Sequence, residues 1–245
     1  MKKYSVSVIV PARDEAGTIA KLVREVPKMG KWTEIIFVEG FSKDGTWGQI
    51  QKQLKVKSEK LKIRAYKQKG RKGKAGAVEL GFAKAKGQIL MILDADLSTP
   101  AKYLKDFYIT LVTGKGEFIN GSRFVYSKEK GAMKYFNHLG NKFFAGVFSL
   151  ILHQKITDTL CGSKAIWSKE YKRMLNITKD IRENDPYGDF TLLLGAAKLG
   201  LKVYEVPIKY KARIYGTSKI SPLWDGIKLI LLLVKDFLKF NFSQK

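Results

Sequence analysis

The first half of the chain alternates short apolar, β-branched runs with amphipathic stretches, and that alternation limits the fold more than any other feature. Residues 6–10, 34–38, 61–65, 88–93 and 118–120 have strand character, while 18–26, 47–54, 75–85 and 101–112 have helical spacing. Ser98-Thr99-Pro100 reads as a cap with a first-turn proline opening the helix at 101. Strand and helix repeated in this order predict an α/β chain, a mostly parallel sheet covered by helices on both faces. Ligands of such sheets sit outside the carboxyl ends of the strands. The loops at 11–17, 39–45 and 94–99 are therefore where function is expected. After residue 125 the pattern loosens into a helical, aromatic-rich block at 132–152, a stretch at 158–166, a helix at 190–199 and a strand at 203–207. No internal repeat or Pro/Ser-rich linker divides the chain.

Charge narrows the partners. The 245 residues hold 46 Lys plus Arg against 22 Asp plus Glu, a net charge of +24, so an anionic partner is expected: a phosphorylated substrate, an acidic membrane surface or nucleic acid. An apolar share of 45% supplies a packed core and excludes disorder as the main state. Cys161 is the one cysteine, which excludes an internal disulfide and a Cys-based zinc site and fits a reducing compartment. Two histidines, His138 and His153, are too few for a His-rich metal centre. The N-terminus runs from Met1-Lys2-Lys3-Tyr4 into a strand without the apolar core of a signal peptide, so export is not expected. The apolar stretches at 143–152 and 229–234 fall short of the ~20 residues that cross a bilayer. The tract 51–74 contains eleven Lys or Arg and one acid, Glu59, and reads most simply as a solvated face.

Three loops carry the candidate chemistry. Asp94-Ala95-Asp96 follows the apolar run 89–93, and a turn beginning at Asp94 would bring both carboxylates toward one ion. Hard oxygen ligands of this kind suit Mg2+ or Mn2+ shared with phosphates. Pro11-Ala12-Arg13-Asp14-Glu15 and Glu39-Gly40-Phe41-Ser42-Lys43-Asp44-Gly45-Thr46 end the first two strands, where an acid can accept hydrogen bonds from a ribose or a base. Gly70-Arg71-Lys72-Gly73-Lys74-Ala75-Gly76-Ala77 puts glycines and cations at a helix N-terminus, suited to a diphosphate. Its spacing is not that of a Walker loop.

These segments, with Gly121-Ser122-Arg123, Asp158-Thr159-Leu160-Cys161-Gly162-Ser163-Lys164 and Arg213-Ile214-Tyr215-Gly216-Thr217-Ser218-Lys219, occur in an order that resembles the family 2 inverting glycosyltransferases, dolichyl-phosphate mannose synthase-like group. The resemblance covers residues 5 to about 220. It implies a GT-A fold, Rossmann-like, that binds a nucleotide-diphosphate sugar (GDP-mannose or a UDP-sugar) with Mg2+ or Mn2+ at Asp94 and Asp96. Pro11, Arg13, Glu15, Glu39, Lys74 and Asp94 would hold the donor. Three positions depart from the family pattern. Glu39-Gly40-Phe41 stands where two acids and then Gly are usual, Ser98 stands where Gln or His often follows, and Lys134 replaces an Arg.

The acceptor decides the remaining roles. A sugar hydroxyl needs a general base, for which Asp189 or Asp185 is the candidate. A phosphate is already an anion and needs cations to place it: Arg123, Lys134, Arg213 and Lys219. The resemblance favours phosphate, so the expected catalytic set is Asp96, Arg123 and Arg213, with Asp189 serving if a hydroxyl attacks. The expected enzyme transfers one sugar, with inversion, to a polyprenyl or dolichyl phosphate while peripheral on the cytoplasmic face of an anionic membrane; a separate membrane-spanning subunit is a further partner open to it. The alternatives are transfer to a saccharide hydroxyl and, more distantly, nucleic-acid binding, which explains the charge but not the acidic loops. The catalytic domain is expected at 1–220. Residues 221–245 are expected to form an amphipathic helix, with Leu223, Ile227, Ile230, Leu231, Val234 and Leu238 on one face, suited to a membrane interface or to the protein's own core.

Overall fold

The computed structural model describes residues 3–55, 61–125, 135–217 and 230–231. Seven strands form one sheet in the order β3-β2-β1-β4-β6-β5-β7. These are β1 (Val6–Ala12), β2 (Thr33–Glu39), β3 (Lys62–Lys67), β4 (Ile89–Ile92), β5 (Phe118–Ser122), β6 (Lys164–Trp167) and β7 (Val203–Pro207). The helices are α1 (Ile19–Glu25), α2 (Thr46–Leu54), α3 (Gly73–Lys84), α4 (Tyr103–Val112), α5 (Tyr135–Leu152), α6 (Ser168–Ile177), α7 (Lys179–Arg182) and α8 (Asp189–Lys198).

Period-two alternation sorts the strand residues between two faces. Val6, Val8 and Val10 of β1 and Ile35 and Phe37 of β2 join one core with α1, α2 and α4; Ile9 joins a second core with α3, α5, α6 and α8. The four strands β1 to β4 are mutually parallel where they pair. The chain runs outward from β1 through β2 to β3, then returns to place β4 on the other side of β1. This reversal opens a crevice at the carboxyl ends of β1 and β4, the place where ligands enter such sheets.

Two features differ from the expectation. β6 lies between β4 and β5 and is antiparallel to both, with Ile92 opposite Lys164. It is four residues long, too short for a pattern to declare its direction, and the antiparallel run delivers the 158–163 loop to the same edge as the ends of β1 and β4. Pro100 does not open α4. Tyr103 N–H and Leu104 N–H instead bond the carbonyls of Pro100 and Ala101 in a preceding turn, and no side chain caps the helix. The backbone of Ser98 belongs to the preceding turn: its N–H donates to Asp96 and its C=O accepts from Lys211 N–H. Helices α6 and α7 were not expected. Of the C-terminal amphipathic segment only Ile230 and Leu231 are described; both are helical and exposed. No helix among the described residues is long and apolar enough to cross a membrane.

Candidate active site

β4 ends in a tight turn. Leu93 N–H still pairs with Ile9 C=O, then Leu97 N–H bonds Asp94 C=O at 3.3 Å while Leu97 adopts φ +55°. The loops after β1 and β2 are bent in the same way, at Asp14 (φ +53°) and Phe41 (φ +59°). Left-handed backbone at a non-glycine residue costs free energy and persists where the surroundings impose it. Three of the four such residues described stand in the loops around the crevice. Those loops are tied together: Asp14 N–H donates to Ser42 Oγ, Lys43 N–H to Asp14 Oδ1 at 2.6 Å, and Ser42 N–H to Glu39 Oε1.

The carboxylate pair has opposite electrostatics. Burial raises the Asp94 pKa, but Lys74, whose Nζ lies 2.6 Å from Asp94 Oδ1, more than reverses this and holds the carboxyl below its ordinary range, with help from Lys164 and Arg123. Asp96 is raised, by burial and then by the charge of Asp94, against the Ser98 N–H bond and Arg213. Lys74 is driven up because Asp94, Asp189 and Asp96 outweigh its burial. Lys74 and Asp94 keep 23% and 30% of their side-chain surface open, so a ligand can reach them.

A second tier closes around this pair. Arg213, on the segment after β7, reaches back to bridge Glu15 Oε1 (2.7 Å) and Asp96 Oδ2 (2.8 Å). Two residues on, the Tyr215 ring covers Gly17 so closely that a Cβ there would lie 2.5 Å from it, and its hydroxyl bonds Asp44. From the other side comes the 158–163 loop. Gly162 passes so near the pair that a Cβ would sit 2.2 Å from both Asp94 Oδ2 and Lys74 Nζ. Arg123 forks onto fully buried Asp158 through Nε (2.6 Å) and Nη2 (2.8 Å) and lies over the Tyr210 ring. Lys164, also fully buried, pairs with Asp189 at 2.7 Å and donates to Cys161 C=O. Burial pushes the Cys161 thiol up to about 12, so it is inert at neutral pH.

Residues 7–193 match Glycosyl transferase family 2, three quarters of the chain's length. The chain belongs to this family. Glycosyltransferase AglD of Haloferax volcanii is 26% identical over 226 residues, 90% of this chain but 35% of that one. A dolichol-phosphate mannosyltransferase of Pyrococcus furiosus is 27% identical over 238 residues, 94% of this chain and 64% of the relative. The chain thus spans about a third and somewhat under two thirds of these two relatives. Among solved structures, glucosyl-3-phosphoglycerate synthase from Mycobacterium tuberculosis, in complex with Mn2+, UDP and glucosyl-3-phosphoglycerate, superposes with a TM-score of 0.68 at 17% identity, covering 95% of this chain and 79% of that one. The expected GT-A fold is the one found.

In this family 2 chain the expected donor residues ring the crevice. Pro11 lies within β1; Arg13 is exposed beside Asp14; Glu15 and Glu39 are buried at the ends of β1 and β2; Lys74 opens α3. Asp94, Asp96, Lys74, Glu15 and Arg213 meet in one cluster. Arg123 sits behind that cluster, its fork already engaged by Asp158. Asp185 does not face the crevice as a base would. It is fully buried and accepts from Tyr187 N–H, Gly188 N–H, Thr191 N–H and Thr191 Oγ, which organises the start of α8. Asp189 is the counter-ion of Lys164. Lys134 and Lys219 lie outside the described residues. Gly162, Asp158 and Lys164 were quoted in a motif but given no role; a lysine in an otherwise buried strand was the available signal, since such a charge requires an acid.

Proposed function

We propose that this protein is an inverting glycosyltransferase that moves one sugar from a nucleotide-diphosphate sugar to a polyprenyl or dolichyl phosphate, working at the cytoplasmic face of a membrane. The observation that carries this reading is the state of the acids and cations around the carboxylate turn. Both acids that could deprotonate a hydroxyl are buried and committed, Asp185 to α8 and Asp189 to Lys164, whereas Arg213, although it bridges Glu15 and Asp96, keeps a quarter of its side-chain surface open at the carboxylate pair. That arrangement suits an acceptor that arrives as an anion. The dolichol-phosphate mannosyltransferase relative supports the same acceptor class.

The residues present fit a divalent cation. Among the described residues no group of three or more His, Cys, Asp or Glu gathers as a closed metal cage. Two carboxylates, one raised by the charge of the other, are a hard-oxygen set that Mg2+ or Mn2+ completes with phosphate oxygens. The glucosyl-3-phosphoglycerate synthase structures contain Mn2+ or Mg2+ with UDP. Asp94 and Asp96 would hold the ion, which would neutralise charge on the leaving diphosphate. The chain's own groups do the rest. Lys74 and the positive end of the α3 helix dipole hold the diphosphate. Arg213 places the acceptor phosphate against its repulsion, one of its oxygens bonds to the anomeric carbon from the face opposite the leaving group, and the sugar–diphosphate bond breaks with inversion. No proton has to be removed.

A donor screen read by nucleotide diphosphate release, with and without a short polyprenyl phosphate, tests the reading. Release that requires the polyprenyl phosphate is expected. Arg213→Ala should reduce transfer by a factor of about ten or more, the scale of one charge-assisted contact, while donor binding survives. If Asp189→Asn abolishes turnover of folded protein and Arg213→Ala leaves it intact, a hydroxyl is the nucleophile and the reading fails.

A further inference from the structure

Phe41 is an aromatic residue that neither its backbone conformation nor the core calls for. It follows β2 at a position whose backbone is left-handed, φ +59°, where glycine carries no steric penalty. Its side chain is 50% exposed, so core packing does not account for it. The backbone around it is fixed from both sides, by Gly40 N–H to Ala12 C=O, Ser42 N–H to Glu39, and Lys43 N–H to Asp14. One loop thus holds an unfavourable backbone and presents a rigid, half-open ring at the mouth of the crevice. Lys72 Nζ lies 5.4 Å from the ring centroid, and Lys72 is the N-cap of α3, two residues before Lys74. The ring therefore stands beside the helix terminus suited to a diphosphate, and close in sequence to Glu39, an acid at the strand end where ribose and base are commonly bonded.

We infer that Phe41 is the stacking plate for the nucleobase of the donor, with Lys72 on one ring face and the base on the other, and that it favours a purine over a pyrimidine. The inference rests on the reading that the crevice takes a nucleotide-diphosphate sugar, and adds the base class to it. Aromatic side chains bind bases through their π-faces without a hydrogen-bond code. A two-ring base covers more of the phenyl ring than a one-ring base, which gives the direction of selectivity.

The test is calorimetric titration of GDP, UDP and inorganic diphosphate, each with Mn2+, into wild type, Phe41→Gly and Phe41→Trp. Wild type should bind GDP more tightly than UDP. Phe41→Gly should lose about tenfold or more in GDP affinity, as expected for one base–aromatic stack, with less effect on UDP and none on diphosphate; Phe41→Trp should retain GDP. The melting temperature of Phe41→Gly should equal or exceed that of wild type, because glycine accepts the left-handed backbone. GDP affinity within about twofold of wild type in Phe41→Gly, or a loss shared equally by diphosphate, overturns the inference and leaves the donor reading standing. A wild type that binds neither nucleoside diphosphate overturns both.

Discussion

Asp96 is pulled in two directions. The fold raises its pKa, through burial and then Asp94, so the ionised form is the costly one without a cation; metal binding needs that form. Because the folded pKa is raised, the stability linked to this group is fully present below the ordinary carboxylate pKa and is lost as pH rises through the raised value. Metal-dependent nucleotide affinity runs the other way and should fall at a higher pH than an unperturbed aspartate would dictate. Titrating GDP with Mn2+ from neutral to acid pH, alongside thermal melting without ligand, checks both signs. Asp96→Asn should weaken that binding by about tenfold or more while shifting the ligand-free melting temperature by only about 2–4 °C, the scale of one partly exposed ion pair. Gly162→Ala tests the other wall. A methyl group there would lie 2.2 Å from Asp94 Oδ2 and Lys74 Nζ, both side-chain ends that can swing aside, so donor binding should weaken with little loss of melting temperature, read by calorimetry and thermal melting. The Asp-x-Asp was legible in the sequence; the close approach of Gly162 to it was not, because that contact depends on β6, the strand that follows Gly162, running antiparallel to β4.

At the scale of elements, the N-terminus of α8 carries two acids with separate duties. Asp185 satisfies three backbone N–H groups and a hydroxyl within a buried turn. Asp185→Ala should cost about 2–3 kcal/mol, a lost cap plus unsatisfied buried donors, measured by urea unfolding. Asp189 offsets the buried charge of Lys164 on β6. Asp189→Ala should cost about 3–5 kcal/mol, because it strands that charge, and the double change Asp189→Leu with Lys164→Met should recover much of the loss. Recovery of stability and of transfer together would mark the pair as scaffold; recovery of stability alone would show a chemical role for Asp189. Strands β1 to β5 and helices α1 to α4 were readable because short apolar or β-branched runs alternate with longer stretches of helical spacing. β6 was not, since four residues inserted between older neighbours carry too little pattern. α4 starts two residues later than expected because Pro100 and Ala101 form a preceding turn whose carbonyls accept from Tyr103 N–H and Leu104 N–H.

For the whole molecule, a charge of +24 draws any polyanion, so affinity for nucleic acid at low salt says little by itself. Stabilisation discriminates. GDP with Mn2+ at about a hundred times its dissociation constant should add about 2.7 kcal/mol, which for a chain of this size raises the melting temperature by roughly 5–10 °C, whereas duplex DNA at physiological salt should not. The sequence alone determined the class of sheet and the placement of three loops and a carboxylate pair at the carboxyl ends of β1, β2 and β4, because periodicity and strand-end position are local properties. It did not determine who neutralises whom. Arg213 reaches Glu15 across 198 positions of sequence, Arg123 is spent on Asp158, and Asp189 pairs with Lys164. Ion pairing falls off over a few ångströms in space and is blind to distance along the chain. Only the closure of the segment after β7 over the ends of β1 and β4, and the antiparallel return through β6, assigned each charge its partner.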